Sequence, residues 1–169
     1  VVGYVLLLLF GRQGPIGIFL NDMLGISVAF TWKGAAIASA VMAFPLMVRA
    51  IRLSFQAVDE GVEEAAATLG ASPSRVFFTI TIPMISPGLI VAAILGFARS
   101  LGEFGATITF VSNISGETRT LPLALFTQIQ TPGGDTAAIR LLVISVTLAI
   151  GALIASEFMA RRIARRVKG

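Results

Sequence analysis

Carboxylates are the side chains in this sequence whose spacing could first serve a chemical or recognition role. Four of them fall within six positions: Asp59, Glu60, Glu63 and Glu64. The chain has no histidine and no cysteine, which excludes histidine acid–base catalysis, thiolate nucleophiles and metal sites built from those ligands. It also lacks the G-x-x-x-x-G-K-[ST] sequence that holds nucleotide phosphates. We therefore expect no catalytic residue, no metal site and no cofactor bound by this chain.

The acidic cluster opens an alanine-rich segment that we expect to form a short helix. Acidic side chains stabilise the positive N-terminal end of a helix, and Gly70 supplies the left-handed conformation that often ends one. Ser72 and Pro73 then restart a helix as N-cap and first helical residue. Three residues spaced i, i+4 and i+7 give the short helix a narrow apolar face: Val62, Ala66 and Leu69. The pattern predicts a helix from Asp59 to Leu69, a sharp turn, and a second helix.

The composition is that of a membrane protein. Hydrophobic residues make up 56% of the chain and charged residues 13%, and the mean hydropathy is +0.89. A membrane helix needs about 20 apolar residues, which predicts an all-α, polytopic bundle with spans at 28–48, 76–98 and 141–160 and a partial span at 1–10. The first apolar run is too short to cross a bilayer and has no initiating methionine, so we expect an N-terminal part of the protein to be missing.

The connections between these spans differ in character. The 49–75 connection carries the acidic helix, whereas the 99–140 region contains uncharged stretches shorter than a span, which favours re-entrant or interfacial structure. Pro83 and Pro87 should kink or partly unwind the first half of the 76–98 span. Basic residues of the tail predict a cytoplasmic C-terminus: Arg161, Arg162, Arg165, Arg166 and Lys168. Counting back places 49–75 in the cytoplasm and 99–140 outside.

Glu103 is a second candidate functional carboxylate, because ionisable groups near or inside a membrane are usually functional. It equally suits a structural ion pair with Arg99, four residues earlier on one helix. Side chains that could contact a translocated oxyanion follow it: Thr107, Thr109, Ser112 and Asn113. These residues also suit helix packing, since small and hydroxyl side chains are common where membrane helices meet. Both interpretations stay open.

The loop resembles the signature loop of the membrane subunits of binding-protein-dependent ABC importers. The motif reads Glu64-Ala65-Ala66, three residues, Gly70, nine residues and Ile80-Thr81-Ile82-Pro83. Ile82-Pro83 replaces the Leu-Pro of the general pattern. Residues 43–52, 97–113, 116–120 and 130–134 resemble the permease subunits of bacterial molybdate importers. Within them the Leu101-Gly102-Glu103 neighbourhood is shared with sulfate permeases, whereas 107–120 favours molybdate.

This resemblance implies a type I ABC importer permease fold and a homodimer in the bacterial inner membrane, with the translocation path along the two-fold axis. It also implies two separate ATPase subunits, which bind ATP and Mg²⁺, and a periplasmic or extracellular molybdate-binding protein. Nucleic acid is not an expected partner. The residues implied in coupling to the ATPase are Asp59, Glu63, Glu64, Ala65, Ala66, Leu69, Gly70 and Pro83. Closure of the ATPase pair would move their helix and swing the spans between inward and outward states.

Three alternatives remain at this point. Sulfate, thiosulfate or tungstate could replace molybdate as the cargo. A secondary transporter or channel would use Glu103 as a proton or ion site and need no ATPase, although the motif spacing argues against it. A purely structural membrane subunit would leave the polar 99–140 region unexplained.

Overall fold

Helices form the regular structure of the protein, as a computed structural model shows. The structure describes the backbone of residues 1–167 and their side chains except at positions 60, 156 and 159–167, and this part of the chain contains no β-strand. The finding confirms the predicted all-α class. The helices are α1 (Val2–Phe10), α2 (Pro15–Leu24), α3 (Trp32–Gln56), α4 (Glu60–Thr68), α5 (Pro73–Val76), α6 (Ile82–Leu101), α7 (Gly105–Val111), α8 (Leu121–Ile129) and α9 (Asp135–Val167), and a π-helical turn, Phe77–Thr81, joins α5 to α6.

Three stretches of the described chain are long and apolar enough to cross a membrane: Trp32–Gln56, Pro73–Leu101 and Asp135–Ala155. α1 and α2 meet at a bend of 45°, and the two helices taken together are also long and apolar enough to cross a membrane. We predicted an apolar piece at 1–10 but assigned no helix to the segment that forms α2. The basic residues Arg161, Arg162, Arg165, Arg166 and Lys168, which carry the predicted orientation, lie outside the described side chains.

The helix bounds differ from the predicted spans at their ends, and α3 begins at Trp32 rather than at position 28. α3 continues to Gln56 rather than ending at position 48, so the first eight positions of the predicted 49–75 connection are helical. The third span likewise starts earlier, because α9 begins at Asp135. Charged residues such as Arg49 and Arg52 end an apolar run but leave the backbone hydrogen bonds intact. Hydropathy therefore located the apolar part of each helix and missed its polar extensions.

The chain forms two units, which we describe separately. The first comprises Val1–Ala43 and Phe97–Ala149, and its core is a cluster around Phe110 and Val111, both fully buried. α1 packs closely on α7: a Cβ added at Gly3 would lie 2.6 Å from the Ala106 carbonyl oxygen. The ring of Phe10 meets that of Phe110 edge-on at 6.3 Å. These contacts fix α7, which carries two of the candidate polar residues.

The second unit comprises Phe44–Gly96 and the chain from Ile150 onward. One close contact in this unit is between α3 and α6, where Gly88, Ala92 and Gly96 follow one another at intervals of four residues. A Cβ added at Gly88 would lie 2.5 Å from the Cβ of Ser54, and one added at Gly96 would lie 2.5 Å from the sulfur of Met47. Small residues at such a contact let two membrane helices approach closely. The close approach of α3 and α6 therefore depends on the small size of the α6 residues at the contact.

The predicted distortion is found in the first half of the 76–98 span, as a π turn that comes before Pro83. The five residues of the π turn immediately precede α6, and the N–H of Ile82 bonds to the carbonyl of Phe77, five residues back. α6 then runs on through Pro87. The Ser86 hydroxyl donates to the Pro83 carbonyl at 2.7 Å, the carbonyl that loses its helical donor because residue 87 is proline. A side chain thus replaces the missing backbone hydrogen bond and the helix continues.

Candidate coupling site

Local hydrogen bonds define both ends of α4. At its start, the Asp59 carboxylate accepts a hydrogen bond from the Gly61 N–H at 2.9 Å. At its end, the N–H of Ala71 bonds to Ala66 and that of Gly70 to Ala67, with Gly70 at a φ of +85°. This pair of bonds is the Schellman motif, which needs a left-handed residue and so favours glycine. The sequence therefore placed this short helix and its C-terminal cap correctly, whereas the capping role of Asp59 is seen only in the structure.

The next helix restarts within three residues, as the sequence predicted. Ser72 is the N-cap of α5, and its hydroxyl accepts from the Arg75 N–H at 3.4 Å, while Pro73 occupies the first turn. The short connection holds α4 beside the beginning of the span Pro73–Leu101. The geometry presents a small acidic helix at the end of a membrane-length helix.

The two sides of α4 differ in what they contact. The outward side includes Glu64, Ala65, Val62 and Leu69, all exposed, and Leu69 is 89% exposed. Val62 and Leu69 thus add exposed apolar surface to the side of the helix that carries Glu64. The predicted apolar face is thus exposed, with Ala66 half-buried along its edge. Such a surface suits docking of another protein.

The inward side of α4 contacts the π turn through Glu63. Its carboxylate accepts a hydrogen bond from the hydroxyl of Thr81, 18 residues later in the chain. Thr81 is only 6% exposed and Glu63 is half-buried. The sequence grouped Glu63 and Glu64 as equivalent coupling residues, but the structure turns them in different directions. Pro83 lies half-buried in the first turn of α6, two residues beyond Thr81.

Glu103 has two partners in the structure. Its Oε2 lies 2.9 Å from Nη1 of Arg99, and its Oε1 accepts from the Ala106 N–H at 2.9 Å. The predicted ion pair is therefore present, but Glu103 lies beyond the end of α6 and not on the same helix as Arg99. The carboxylate is 3% exposed and lines a cavity of about 440 Å³. Its contacts join the end of α6 to the start of α7.

The other four candidate pathway residues do not form one polar surface. Thr107 is fully buried, and its hydroxyl has no hydrogen-bond partner among the described residues. Thr109 is exposed, but its hydroxyl donates to the carbonyl of Gly105 at 2.8 Å. Ser112 is exposed and has a left-handed backbone, with φ at +66°. Thr109 and Ser112 are therefore exposed, whereas Thr107 is enclosed by the protein.

Asn113 belongs to a hydrogen-bonded loop between α7 and α8. Its side-chain amide donates to the Thr127 hydroxyl at 2.8 Å, and its carbonyl oxygen accepts from Nε of Arg119 at 2.9 Å. Thr118, buried in the same loop, accepts from the Ile114 N–H at 2.9 Å. Sequence reasoning did not single out Thr118 or Thr127, because their partners become neighbours only when the loop folds back. Among the described residues no group of three or more acidic side chains converges as a metal site requires.

Comparison with known proteins gives a consistent result across the chain. A sequence model of the family described as "Binding-protein-dependent transport system inner membrane component" matches residues 1–169. The molybdenum transport system permease protein ModB of Escherichia coli (strain K12) is 62% identical over 161 residues, which cover 95% of this chain and 70% of that protein. The protein of the same name from Haemophilus influenzae (strain Rd) is 54% identical over 167 residues, covering 99% of this chain and 73% of the relative. A more distant relative, the putative molybdenum transport system permease protein YvgM of Bacillus subtilis (strain 168), is 43% identical over 138 residues, or 82% of this chain and 60% of the relative.

Proposed function

Because the chain belongs to the family of inner membrane components of binding-protein-dependent transport systems, we propose that it is the permease subunit of an ATP-driven importer of molybdate. Members of this family form the membrane pore of ABC transporters and are not themselves enzymes. The cargo is proposed from the relatives, whose names state molybdenum transport. The observation that supports a coupling role is the position of α4, which is a capped, exposed helix at the end of a membrane-length span.

The partners follow from what the chain lacks and what it exposes. No nucleotide-binding sequence is present, so ATP and Mg²⁺ belong on separate ATPase subunits. Those subunits would contact the outward side of α4, through Glu64 and the apolar surface of Val62 and Leu69. That assignment places α4, and with it the C-terminal tail, on the cytoplasmic side. A molybdate-binding protein would then dock on the opposite, periplasmic side.

The exposed surface of α9 supports assembly with a second copy in the bilayer. Only 6% of the apolar window of α9 is buried within the chain, compared with 22% for the other two membrane-length stretches. Its exposed apolar side chains include Leu142, Val143 and Val146. Such a surface faces lipid or another apolar helix. We propose a homodimer in which part of this surface contacts the partner and the remainder faces lipid.

The alternatives are weaker on the same observations. A secondary transporter or channel would use Glu103 as an ion site, but this carboxylate already pairs with Arg99 and accepts from a backbone N–H. A purely structural subunit would have no use for the exposed Leu69 at the tip of a capped helix. Sulfate, thiosulfate and tungstate remain the competing cargoes, because all are small tetrahedral or near-tetrahedral dianions.

The direct test is uptake of labelled molybdate into proteoliposomes that contain the full-length permease, its ATPase and its binding protein. We expect ATP-dependent uptake that resists excess sulfate. We also expect Gly70→Pro to abolish it, since proline cannot adopt the φ of +85° found there. Gly25→Pro is the matched control, because Gly25 also has a left-handed φ, of +63°, and also follows the end of a short helix, α2. Uptake abolished by equal sulfate would reassign the cargo, and uptake without ATP would contradict the ABC mechanism.

A further inference from the structure

Building on the proposed function, we propose that the hydrogen bond between Glu63 and Thr81 is the joint through which movement of α4 reaches the membrane span. The π turn that ends at Thr81 is the part that deforms. Glu63 and Thr81 act as positioning residues: neither contacts the ATPase or the cargo. Glu64, on the outward side of the same helix, would receive the movement, and Glu63 would pass it on.

The first step of the argument is connectivity. Among the side chains that the structure describes, Glu63 and Thr81 form the hydrogen bond that ties α4 to the span beginning at Pro73. The bond is shielded, since Thr81 is 6% exposed. A hydrogen bond to a charged acceptor is stronger than one between neutral groups. When α4 is displaced, Thr81 is therefore pulled directly, and not only through the intervening turn.

The second step is the weakness of the backbone at the point of attachment. A π turn holds one more residue than an α turn and has less favourable hydrogen-bond geometry, and such turns often lie at functional sites. Thr81 is the last residue of the turn Phe77–Thr81. Two positions later Pro83 offers no N–H to stabilise the preceding turn. The span can therefore change its helical register at this point more easily than within α6.

The third step is the space beside the joint. A cavity of about 420 Å³ lies between α4 and the π turn, lined by residues that include Phe55, Glu63, Val76, Phe77 and Thr81. Its walls come from the helix that receives the movement and from the turn that would yield. Close-packed interiors resist displacement, so an open volume here allows α4 to approach the span without a clash. Beyond the turn, the close α3–α6 contact at Gly88 and Ser54 holds the two helices together.

The experiment compares Thr81→Val with Thr79→Val in the complete transporter in proteoliposomes, measuring both molybdate imported and ATP hydrolysed. Valine keeps the shape of threonine and removes the hydroxyl. Thr79 is the matched control, because it lies in the same turn but donates to its own helix at the Arg75 carbonyl. We expect Thr81→Val to import about tenfold fewer molybdate ions per ATP, the size of effect that loss of a hydrogen bond to a charged group produces, with ATP hydrolysis unchanged. Thr79→Val should behave as the wild type.

Four further variants keep the test independent of folding defects. Thr81→Ser preserves the donor and should retain the wild-type ratio, whereas Glu63→Gln preserves an acceptor without its charge and should give a ratio between those of the wild type and Thr81→Val. Glu63→Ala removes the bond from its other end, and the double variant Glu63→Ala, Thr81→Val should be no worse than either single change, since one interaction is lost in each case. A Thr81→Val transporter with the wild-type ratio, or an equal loss in Thr79→Val, would overturn the proposal.

Failure of the proposed cargo can be told apart from failure of the joint. If the wild-type complex hydrolyses ATP but imports no molybdate, the cargo assignment fails. Amide hydrogen exchange of the complex then tests whether the Glu63–Thr81 bond transmits the movement. Trapping with ATP and vanadate should alter amide exchange in both α4 and the π turn of the wild type. In Thr81→Val the change should be confined to α4. A change that still reaches the π turn would rule out the Glu63–Thr81 bond as its route.

Discussion

Arg99 and Glu103 lie on either side of a helix end and form an ion pair with an Nη1–Oε2 distance of 2.9 Å. The two charges are unequally shielded, since the side chain of Arg99 is 36% exposed and that of Glu103 only 3%. The same carboxylate accepts from the Ala106 N–H at the start of α7. Glu103, which the sequence suggested as a possible ion site, therefore has a structural partner for each of its two carboxylate oxygens.

Removing the arginine should destabilise the protein more than removing the charge of its partner. Arg99→Ala leaves a buried carboxylate without a counter-ion, and we expect a loss of about 2 kcal/mol, reduced from the usual buried-pair value because Arg99 is partly in solvent. Glu103→Gln keeps an acceptor for Ala106 and should cost less. The free energy of unfolding in detergent measures both, with the exposed Glu117→Gln as control. A stable Glu103→Gln protein that imports no anion would instead support a role in the pathway.

The contact between Gly88 and Ser54 should tolerate no added methyl group. In Gly88→Ala the new Cβ would lie 2.5 Å from the Ser54 Cβ and 1.6 Å from its Oγ, and overpacking of this kind costs about 1–3 kcal/mol. Ser54→Gly in the same protein should restore part of the loss. Gly151→Ala is the control, because nothing lies within 4 Å of the added atom. Equal unfolding free energies for Gly88→Ala and Gly151→Ala would contradict the close approach.

One substitution should stabilise the protein. Ser112 has φ +66° and ψ −161°, a conformation that is almost restricted to glycine and costs other residues about 1–3 kcal/mol. After the entropy that glycine loses on folding, we expect Ser112→Gly to gain about 1 kcal/mol. Ser112→Ala keeps the strained backbone and removes the hydroxyl, so it separates the two effects. A Gly variant no more stable than the Ala variant in the same unfolding titration would show that the backbone is not strained.

Leu69 should matter for assembly and not for folding. Its side chain is 89% exposed, so Leu69→Ser removes almost no contact within the chain. Burial of a leucine against a partner contributes about 1.5–3 kcal/mol, and we therefore expect the affinity of the permease for its ATPase to fall by about tenfold or more. Pull-down or calorimetric titration measures it. Leu24→Ser, which removes a leucine 62% exposed on α2, should leave that affinity unchanged.

The sequence was enough to predict those features that depend on hydrogen bonds between residues close together in the chain. Asp59, Gly70 and Ser72 each act through hydrogen bonds to neighbours within five residues, so their types alone located α4 and the restart of the chain. α2 carried comparable signals, with Pro15 in its first turn and Gly25 in the left-handed conformation after it. It was overlooked because a search for membrane-length apolar runs passes over a helix of 10 residues.

Contacts between distant residues could not be predicted in the same way. The Glu63–Thr81 bond depends on the angle of one turn and on the extra residue in the π turn, and neither leaves a periodic pattern. The ion pair of Arg99 was predicted from a spacing of four, yet it forms across a helix end. Spacing indicates that two side chains are near each other, but the geometry that connects them comes from packing.

Three threonine hydroxyls, on α7, α8 and α9, have a consequence for any anion that passes near them. A hydroxyl carries a single hydrogen, and Thr109 has directed its own to Gly105, as Thr127 has to Leu123 and Thr147 to Val143. Each oxygen then presents only its lone pairs, which repel negative charge. These three hydroxyls therefore offer no free hydrogen, so a dianion near Thr109, the exposed candidate on α7, would be held loosely and leave quickly. Rapid release, and not tight capture, is what a conducting surface requires.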